Sequence, residues 1–161
     1  MTVALSIPCM VHEPSTGLFA RAFGHSTPPA FVSFRSAKVL IVAHKLVIKA
    51  TAGKEDPERC NQAFTVASTA VASGVEVSLW LAGEAAWFAL PGRADDFSLP
   101  YSAPLPDLLE SVLALGTVSV CSQCAARRNI RPEDVISGVR ISGAATFLSE
   151  VLDDDAKSLV Y

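Results

Sequence analysis

Residues 44–83 read HKLVIKATAGKEDPERCNQAFTVASTAVASGVEVSLWLAG and predict a strand, a helix and a second strand in close succession. The helix is delimited by Asp56 as its N-cap, Pro57 at its first position and Gly74 just past its end. The apolar runs on either side, LVIKA and VSLWLA, are typical of strands that helices cover on both faces. This stretch therefore predicts a strand–helix–strand unit with parallel strands.

The rest of the chain continues the alternation of strands and helices. Gly116 marks the end of one helix, and Asn129 suits the left-handed residue that ends another. The later predicted elements are a short helix at 84–92 stopped by Pro91, a helix at 106–116, a strand at 117–121, a helix at 122–129, a strand at 139–143, a helix at 144–154 and a strand at 157–161. The expected fold class is α/β, a single three-layer domain with a mainly parallel sheet of about five strands flanked by helices.

Composition narrows the class of protein. A chain of 161 residues with 50% hydrophobic content can bury one sizeable core, so one folded domain is expected. A net charge of −3 with 18% charged residues provides no broad basic surface, so nucleic acid is not an expected partner. Neither G-x-G-x-x-G nor G-x-x-x-x-G-K-[ST] occurs, and we expect no cofactor.

The amino-terminal part differs from the rest. Residues 1–43 contain scattered apolar residues and several prolines, without helical or strand periodicity. We expect a poorly ordered arm over 1–43 and the α/β domain over 44–161.

No membrane segment is predicted. The longest apolar stretch, residues 37–49, is interrupted by His44 and Lys45 and is shorter than the roughly 20 residues that span a bilayer. The amino terminus also lacks the charged start, apolar run and cleavage site of a signal peptide. A cytoplasmic location is therefore the expectation.

The carboxyl ends of parallel strands meet at one edge of the sheet, where ligands bind. In this sequence three such ends are expected at Thr51–Gly53, Ala82–Glu84 and Cys121–Cys124. Candidate binding residues at this edge are Thr51, Gly53 and Gly83.

Cys121 is the candidate nucleophile. At a strand end it would precede a helix, whose unpaired N–H groups and dipole favour an anion. The dipole contributes at most about 2 kcal/mol, or roughly 1.5 pKa units, which is enough to make a thiol usefully nucleophilic. Arg127 and Arg128 follow in the last turn of that helix, where cations suit its dipole, and they are the other candidate binding residues. For either to contact Cys121, its side chain would have to fold back over the loop or come from a neighbouring subunit.

Three chemistries compete for the pair Cys121 and Cys124. Structural zinc usually needs four ligands, but the other cysteines, Cys9 and Cys60, form no second Cys-x-x-Cys, and no metal is expected. A thioredoxin-type dithiol fits a Cys-x-x-Cys at a helix start. Two half-buried thiols that act only as small hydrophobes are the third possibility.

The sequence resembles the DsrE/DsrF-like family, which includes sulfur-relay subunits of the TusD type, over about residues 44–161. The resemblance rests on KLVIKATAG, on the order of elements and above all on CSQCAARRN at 121–129, where a cysteine at a strand end precedes a basic pair by six and seven positions. The closing segment, ISGAATFLSEVLDDDAKSLVY, also looks like the C-terminal helix and strand of the family.

In sulfur-carrying members of that family, the persulfide forms at the position that corresponds to Cys121. The resemblance implies a sulfur carrier or sulfurtransferase that exchanges sulfane sulfur with donor and acceptor proteins or small persulfides. It also implies a homo-oligomer, trimeric or hexameric, with the cysteine loop near a subunit boundary. Cys124, three residues on, is a candidate resolving thiol. The alternatives are a noncatalytic binding or scaffold subunit and a dithiol oxidoreductase.

Overall fold

A computed structural model describes residues 45–161. The strands are β1 (Lys45–Ala50), β2 (Glu76–Leu81), β3 (Thr117–Cys121), β4 (Val139–Ser142) and β5 (Ala156–Val160). The helices are α1 (Pro57–Ala72), α2 (Leu105–Leu115), α3 (Ser122–Arg127) and α4 (Ala144–Val151), with a 3₁₀ helix at Gly83–Ala89. The expected arm over 1–43 lies outside the described residues, and so does His44, so the boundary at 43/44 stays a prediction.

The five strands form one sheet in the order β4-β3-β2-β1-β5, and every neighbouring pair is parallel. Helices flank the sheet, so the predicted α/β fold is confirmed. The last strand returns to the far side of β1, which places β1 between β2 and β5. As a result, the carboxyl ends of all five strands lie along one edge.

Helix α1 begins and ends where the sequence predicts. The Asp56 carboxylate accepts a hydrogen bond from the Arg59 N–H at 3.3 Å, Pro57 is the first helical residue, and the cap Ser73 precedes Gly74 at φ +80°. Its buried residues recur at helical spacing, so one stripe faces the sheet. They are Cys60, Ala63, Phe64, Ala67 and Val71.

The main core lies between the sheet and the helices α1 and α2. It contains alternate residues of the central strands, among them Ile48 of β1, Leu79 of β2 and Val120 of β3. Phe64 of α1 meets Phe88 of the 3₁₀ helix edge to face, with ring centroids 5.8 Å apart. Full burial of such a side chain contributes about 1.5–3 kcal/mol, so this face supplies most of the apolar stabilisation.

The opposite face of the sheet carries a more polar set of side chains. Trp80, Ser78 and Ser119 are buried on it. Helix α4 packs here through Phe147, whose ring lies 5.2 Å from that of Trp80, and through Glu150. This helix forms the third layer of the domain.

The short helix predicted at 84–92 is a 3₁₀ helix that begins one residue earlier, at Gly83, and ends at Ala89. Leu90 adopts extended φ/ψ values of −92° and 143°, which is the conformation that a following proline favours. Pro91 therefore ends the helix, as predicted. No helix among residues 45–161 is long and apolar enough to cross a membrane.

Gly83→Ala is expected to lower the free energy of unfolding by about 3 kcal/mol or more, as measured by urea denaturation. Gly83 has a φ of +50°, and a Cβ there would overlap the carbonyl oxygen of Thr51. Gly74→Ala is the control, because Gly74 has a φ of +80° but open space around it, so only the backbone cost of about 1–2 kcal/mol applies. Equal losses in the two variants would contradict the close packing at Gly83.

Candidate functional site

The predicted crevice is built by backbone hydrogen bonds that tie three strand ends together. The Glu84 N–H donates to the Thr51 carbonyl at 3.0 Å, and the Ala82 N–H donates to the Ala50 carbonyl at 2.9 Å. The Thr51 N–H in turn donates to the carbonyl of Tyr161 at 2.9 Å. The loops after β1 and β2 therefore have little freedom, which gives the neighbouring cysteine loop a rigid support.

Cys121 is the last residue of β3 and the N-cap residue of α3. It is a free thiol, and its side chain is partly exposed. Burial alone raises its pKa, but hydrogen bonds from the Cys124 N–H, the Cys124 thiol and the Gln123 N–H, together with the charge of Lys49, outweigh that effect and lower the pKa below the ordinary thiol value. Because a thiolate is the reactive form, this environment favours a nucleophile at Cys121.

Cys124 lies one turn along α3 and is 8% exposed. Its sulfur accepts a hydrogen bond from the Gly83 N–H at 3.3 Å. The structure thus brings together three residues predicted for the site, Cys121, Cys124 and Gly83. The hydrogen bond from the Gly83 N–H gives Cys124 a polar contact, so it is more than a small hydrophobic side chain.

Cys60 has the opposite character. It is fully buried in α1, and burial followed by the nearby charges of Glu55 and Asp56 raises its pKa to about 12. A protonated thiol enclosed by the core is inert, so Cys60 has a packing role.

Thr51 and Gly53 lie in the predicted crevice, but their polar groups already have partners within the protein. The Thr51 hydroxyl donates to the carbonyl of Tyr161, and the Gly53 N–H donates to both carboxylate oxygens of Glu55 at 3.0 and 2.9 Å. A Cβ at Gly53 would come within 2.9 Å of the Glu84 Cβ, so this glycine allows the two loops to approach. Their geometry indicates that they shape the edge of the crevice.

The two arginines have different environments. The Arg128 guanidinium pairs with the Glu84 carboxylate at 2.6 Å and donates to the Cys124 carbonyl at 3.2 Å, so it links α3 to the 3₁₀ helix. Arg127 is exposed and forms no ion pair among residues 45–161. Neither arginine is among the charges that lower the pKa of Cys121.

A cleft of about 360 Å³ is lined in part by Glu84. Trp87 contributes an aromatic wall, with the guanidinium of Arg93 5.3 Å from its ring centroid, and its indole N–H donates to Glu84 at 3.1 Å. The other lining residues are Lys54, Glu55 and Phe88. Within the described part of the chain, no cluster of three or more His, Cys, Asp or Glu residues could hold a metal ion.

Lys49 is a site residue that the sequence interpretation missed. It lies in β1 on the sheet face that carries Trp80, and its charge acts on the thiol of Cys121. The available signal was a lysine inside the otherwise apolar run LVIKA, close to the carboxyl end of a buried strand. Because burial of a charge is costly, a charged residue in such a strand indicates a role beyond packing.

Comparison with known proteins identifies relatives. The model of the DsrE/DsrF-like family matches residues 44–157. The uncharacterised protein MJ0760 of Methanocaldococcus jannaschii is 30% identical over 106 residues, which is 65% of this chain but only 38% of that protein. The chain therefore spans less than half the length of this relative.

Two solved structures are similar in fold. YchN from E. coli aligns with a TM-score of 0.62 at 22% identity, covering 73% of this chain and 99% of YchN. The protein MTH1491 from Methanobacterium thermoautotrophicum, of unknown function, aligns with a TM-score of 0.55 at 9% identity and the same coverage of both chains, 73% and 99%. At these identities the likeness is one of fold.

Iodoacetamide at neutral pH is expected to modify Cys121 in the folded protein and to leave Cys60 and Cys124 largely unmodified. The lowered pKa of Cys121 shifts its thiolate, and with it the rise of the alkylation rate, to lower pH than for an ordinary thiol. The raised pKa of Cys60, about 12, keeps that thiol protonated. Peptide mass spectrometry over a pH series assigns each rate, and modification of folded Cys60 as fast as Cys121 would contradict this account.

Proposed function

Because the chain belongs to the DsrE/DsrF-like family, we propose that it accepts sulfane sulfur as a persulfide on Cys121 and passes it to an acceptor. This family is associated with sulfur relay. The observation that supports the proposal most directly is the environment of Cys121, a partly exposed thiol at a helix start whose pKa is lowered by hydrogen bonds. A carrier needs such a thiol, because it must attack a donor and then present the sulfur to the next protein.

The transfer is an exchange between sulfur atoms. The Cys121 thiolate attacks the terminal sulfur of a donor persulfide, R–S–SH, so a new S–S bond forms on Cys121 as the S–S bond of the donor breaks. The donor leaves as the thiolate R–S⁻ with the electron pair, and the proton stays on the transferred sulfur. An acceptor thiolate then attacks the outer sulfur and regenerates the Cys121 thiolate, with no net oxidation or reduction.

Cys124 is placed to act on the loaded form. It lies one helical turn along α3 from Cys121, and the two cysteines are close to each other. As a resolving thiol it would attack the inner sulfur of the Cys121 persulfide, form a Cys121–Cys124 disulfide and release H₂S. The same proximity favours the dithiol oxidoreductase as an alternative activity, in which the disulfide itself is the working state.

The second alternative, a noncatalytic binding or scaffold subunit, is favoured by the cleft beside Trp87. It has the mixed polar and aromatic lining that is typical of ligand sites. In that case the cysteine loop would be structural, and sulfur loading on Cys121 would fail.

The proposal also covers the partners, the location and the oligomeric state of the protein. We expect protein or small-molecule persulfides as donor and acceptor, a cytoplasmic setting and a homo-oligomer, trimeric or hexameric. Large apolar side chains exposed on α4, at its C-cap and on β5 support self-association, namely Leu148, Leu152, Leu159 and Val160.

Exposure to a small-molecule persulfide donor is expected to add one sulfur atom to the wild-type protein and none to Cys121→Ser. Intact-protein mass spectrometry before and after reduction measures the gain, which must disappear on reduction. Cys60→Ser is the matched control and should load like wild type, because Cys60 is buried with a raised pKa.

Two results would contradict the carrier proposal. One is neither a sulfur gain nor a Cys121–Cys124 disulfide in wild type when the Cys121 thiol is shown beforehand to be free, and the other is an equal gain in Cys121→Ser. The first of these results would favour the binding subunit.

Cys124→Ser is expected to lengthen the lifetime of the Cys121 persulfide severalfold, because a hydroxyl cannot displace H₂S to form a disulfide. Time-resolved mass spectrometry of the loaded protein measures the lifetime, with trapping of released sulfide as a second readout. An unchanged lifetime, with no intramolecular disulfide in wild type, would remove the resolving role and leave Cys124 as a structural residue beside Cys121.

A further inference from the structure

Lys49 shares one face of the sheet with the reactive cysteine. The strand register pairs Lys49 of β1 with Trp80 of β2, and Trp80 with Ser119 of β3. These three residues form a row across the sheet, and their side chains point to the same side. Cys121 lies two residues beyond Ser119, so the alternation of side chains returns it to that side as well.

An aromatic contact holds the ammonium group of Lys49. Its Nζ lies 4.4 Å from the centroid of the Phe147 ring, which packs edge to face against Trp80 at 5.2 Å. The side chain is half-buried, and none of the ion pairs among residues 45–161 includes it. Within the described residues, the charge of Lys49 is therefore not neutralised by a paired carboxylate.

The other charged groups on this face form hydrogen bonds or ion pairs, or are exposed to solvent. The Glu150 carboxylate of α4 accepts hydrogen bonds from the Ser78 hydroxyl at 2.6 Å and the Trp80 indole at 2.8 Å. Arg140 of β4 pairs with Ser119 in the register and is exposed. Lys45, at the opposite end of β1, forms long ion pairs of 3.9 Å with Glu76 and Asp153.

The positive charge of Lys49 acts on the thiol of Cys121. Burial raises the pKa of Cys121, the hydrogen bonds from Cys124 and Gln123 lower it, and the positive charge of Lys49 adds to the lowering. With an effective dielectric constant between about 20 and 80, a unit charge about 10 Å away changes the ratio of thiolate to thiol roughly two- to fifteenfold.

We infer that Lys49 is a positioning residue that keeps the sulfur on Cys121 in its anionic form. Its role in sulfur transfer rests on the proposed function, because the anion matters for transfer only if Cys121 carries sulfur. Lys49 does not take part in bond making. It acts from the same sheet face, held in place by Phe147, and its charge compensates for the partial burial of the thiolate.

The test measures the rate of Cys121 alkylation by iodoacetamide across a pH series, with rates assigned by peptide mass spectrometry. Lys49→Met removes the charge at similar length, Lys49→Gln is a second neutral variant, and Lys49→Arg restores the charge. Lys157→Met is the matched control, because Lys157 is exposed on β5 and pairs with Leu46, on the other face of the sheet. Circular dichroism establishes that each variant is folded.

The neutral variants are expected to lower the rate at neutral pH roughly two- to fifteenfold and to move the midpoint of the profile to higher pH, with an unchanged plateau at high pH. Lys49→Arg should return the midpoint close to that of wild type, and Lys157→Met should leave it unchanged. The inference is overturned if the neutral variants keep the wild-type midpoint, if arginine fails to restore it, or if Lys157→Met shifts it equally.

Persulfide loading, measured in parallel, separates this inference from the proposed function. A shifted midpoint in the neutral variants together with no loading of wild type would retain Lys49 as the residue that activates the thiol and reject the sulfur carrier. Normal loading of wild type together with an unshifted midpoint would retain the sulfur carrier and reject the role of Lys49.

Discussion

In a sheet whose strands all run parallel, hydrogen bonding between neighbours places their carboxyl ends side by side. The order β4-β3-β2-β1-β5 extends this constraint to all five strands of the domain. Cys121 at the end of β3 therefore lies beside Gly83, which follows β2, and the Gly83 N–H reaches the sulfur of Cys124. The loops can be short, because the parallel sheet itself brings their first residues together.

The ionisation state of the Cys121 thiol depends on a balance between two opposing effects. Partial burial disfavours a charged sulfur, whereas N–H groups at the start of α3, the thiol of Cys124 and the cation of Lys49 favour it. The favourable contributions come from two elements that are far apart in the sequence, α3 and β1, so the balance holds only while the domain is folded. Cys60 is also a cysteine, but no such donors lower its pKa. Burial raises that pKa and keeps the thiol protonated.

The two faces of the sheet have different roles. The face covered by α1 and α2 is an apolar core that provides stability, whereas the face covered by α4 carries buried polar groups. Glu150 satisfies two of them, Ser78 and Trp80, while the Ser119 hydroxyl is buried without a hydrogen-bond partner among the described residues. Buried polar groups cost stability unless they are hydrogen-bonded. The face covered by α4 carries such groups, so it is better suited to supporting the thiol than to adding to the apolar core.

Local signals in the sequence determined the elements themselves. Asp56 and Pro57 start α1, Gly116 caps α2, and Asn129, at φ +53°, follows α3, because each of these residues has a backbone or capping preference that acts within a few positions. The position of Cys121 at the junction of a strand and a helix was readable for the same reason. Tertiary structure alone decided that Arg128 pairs with Glu84, that the Cys124 sulfur accepts a hydrogen bond from Gly83, and that Lys49 acts on Cys121. These contacts join residues more than 40 positions apart, and their distances depend on strand order and register, which no local preference encodes.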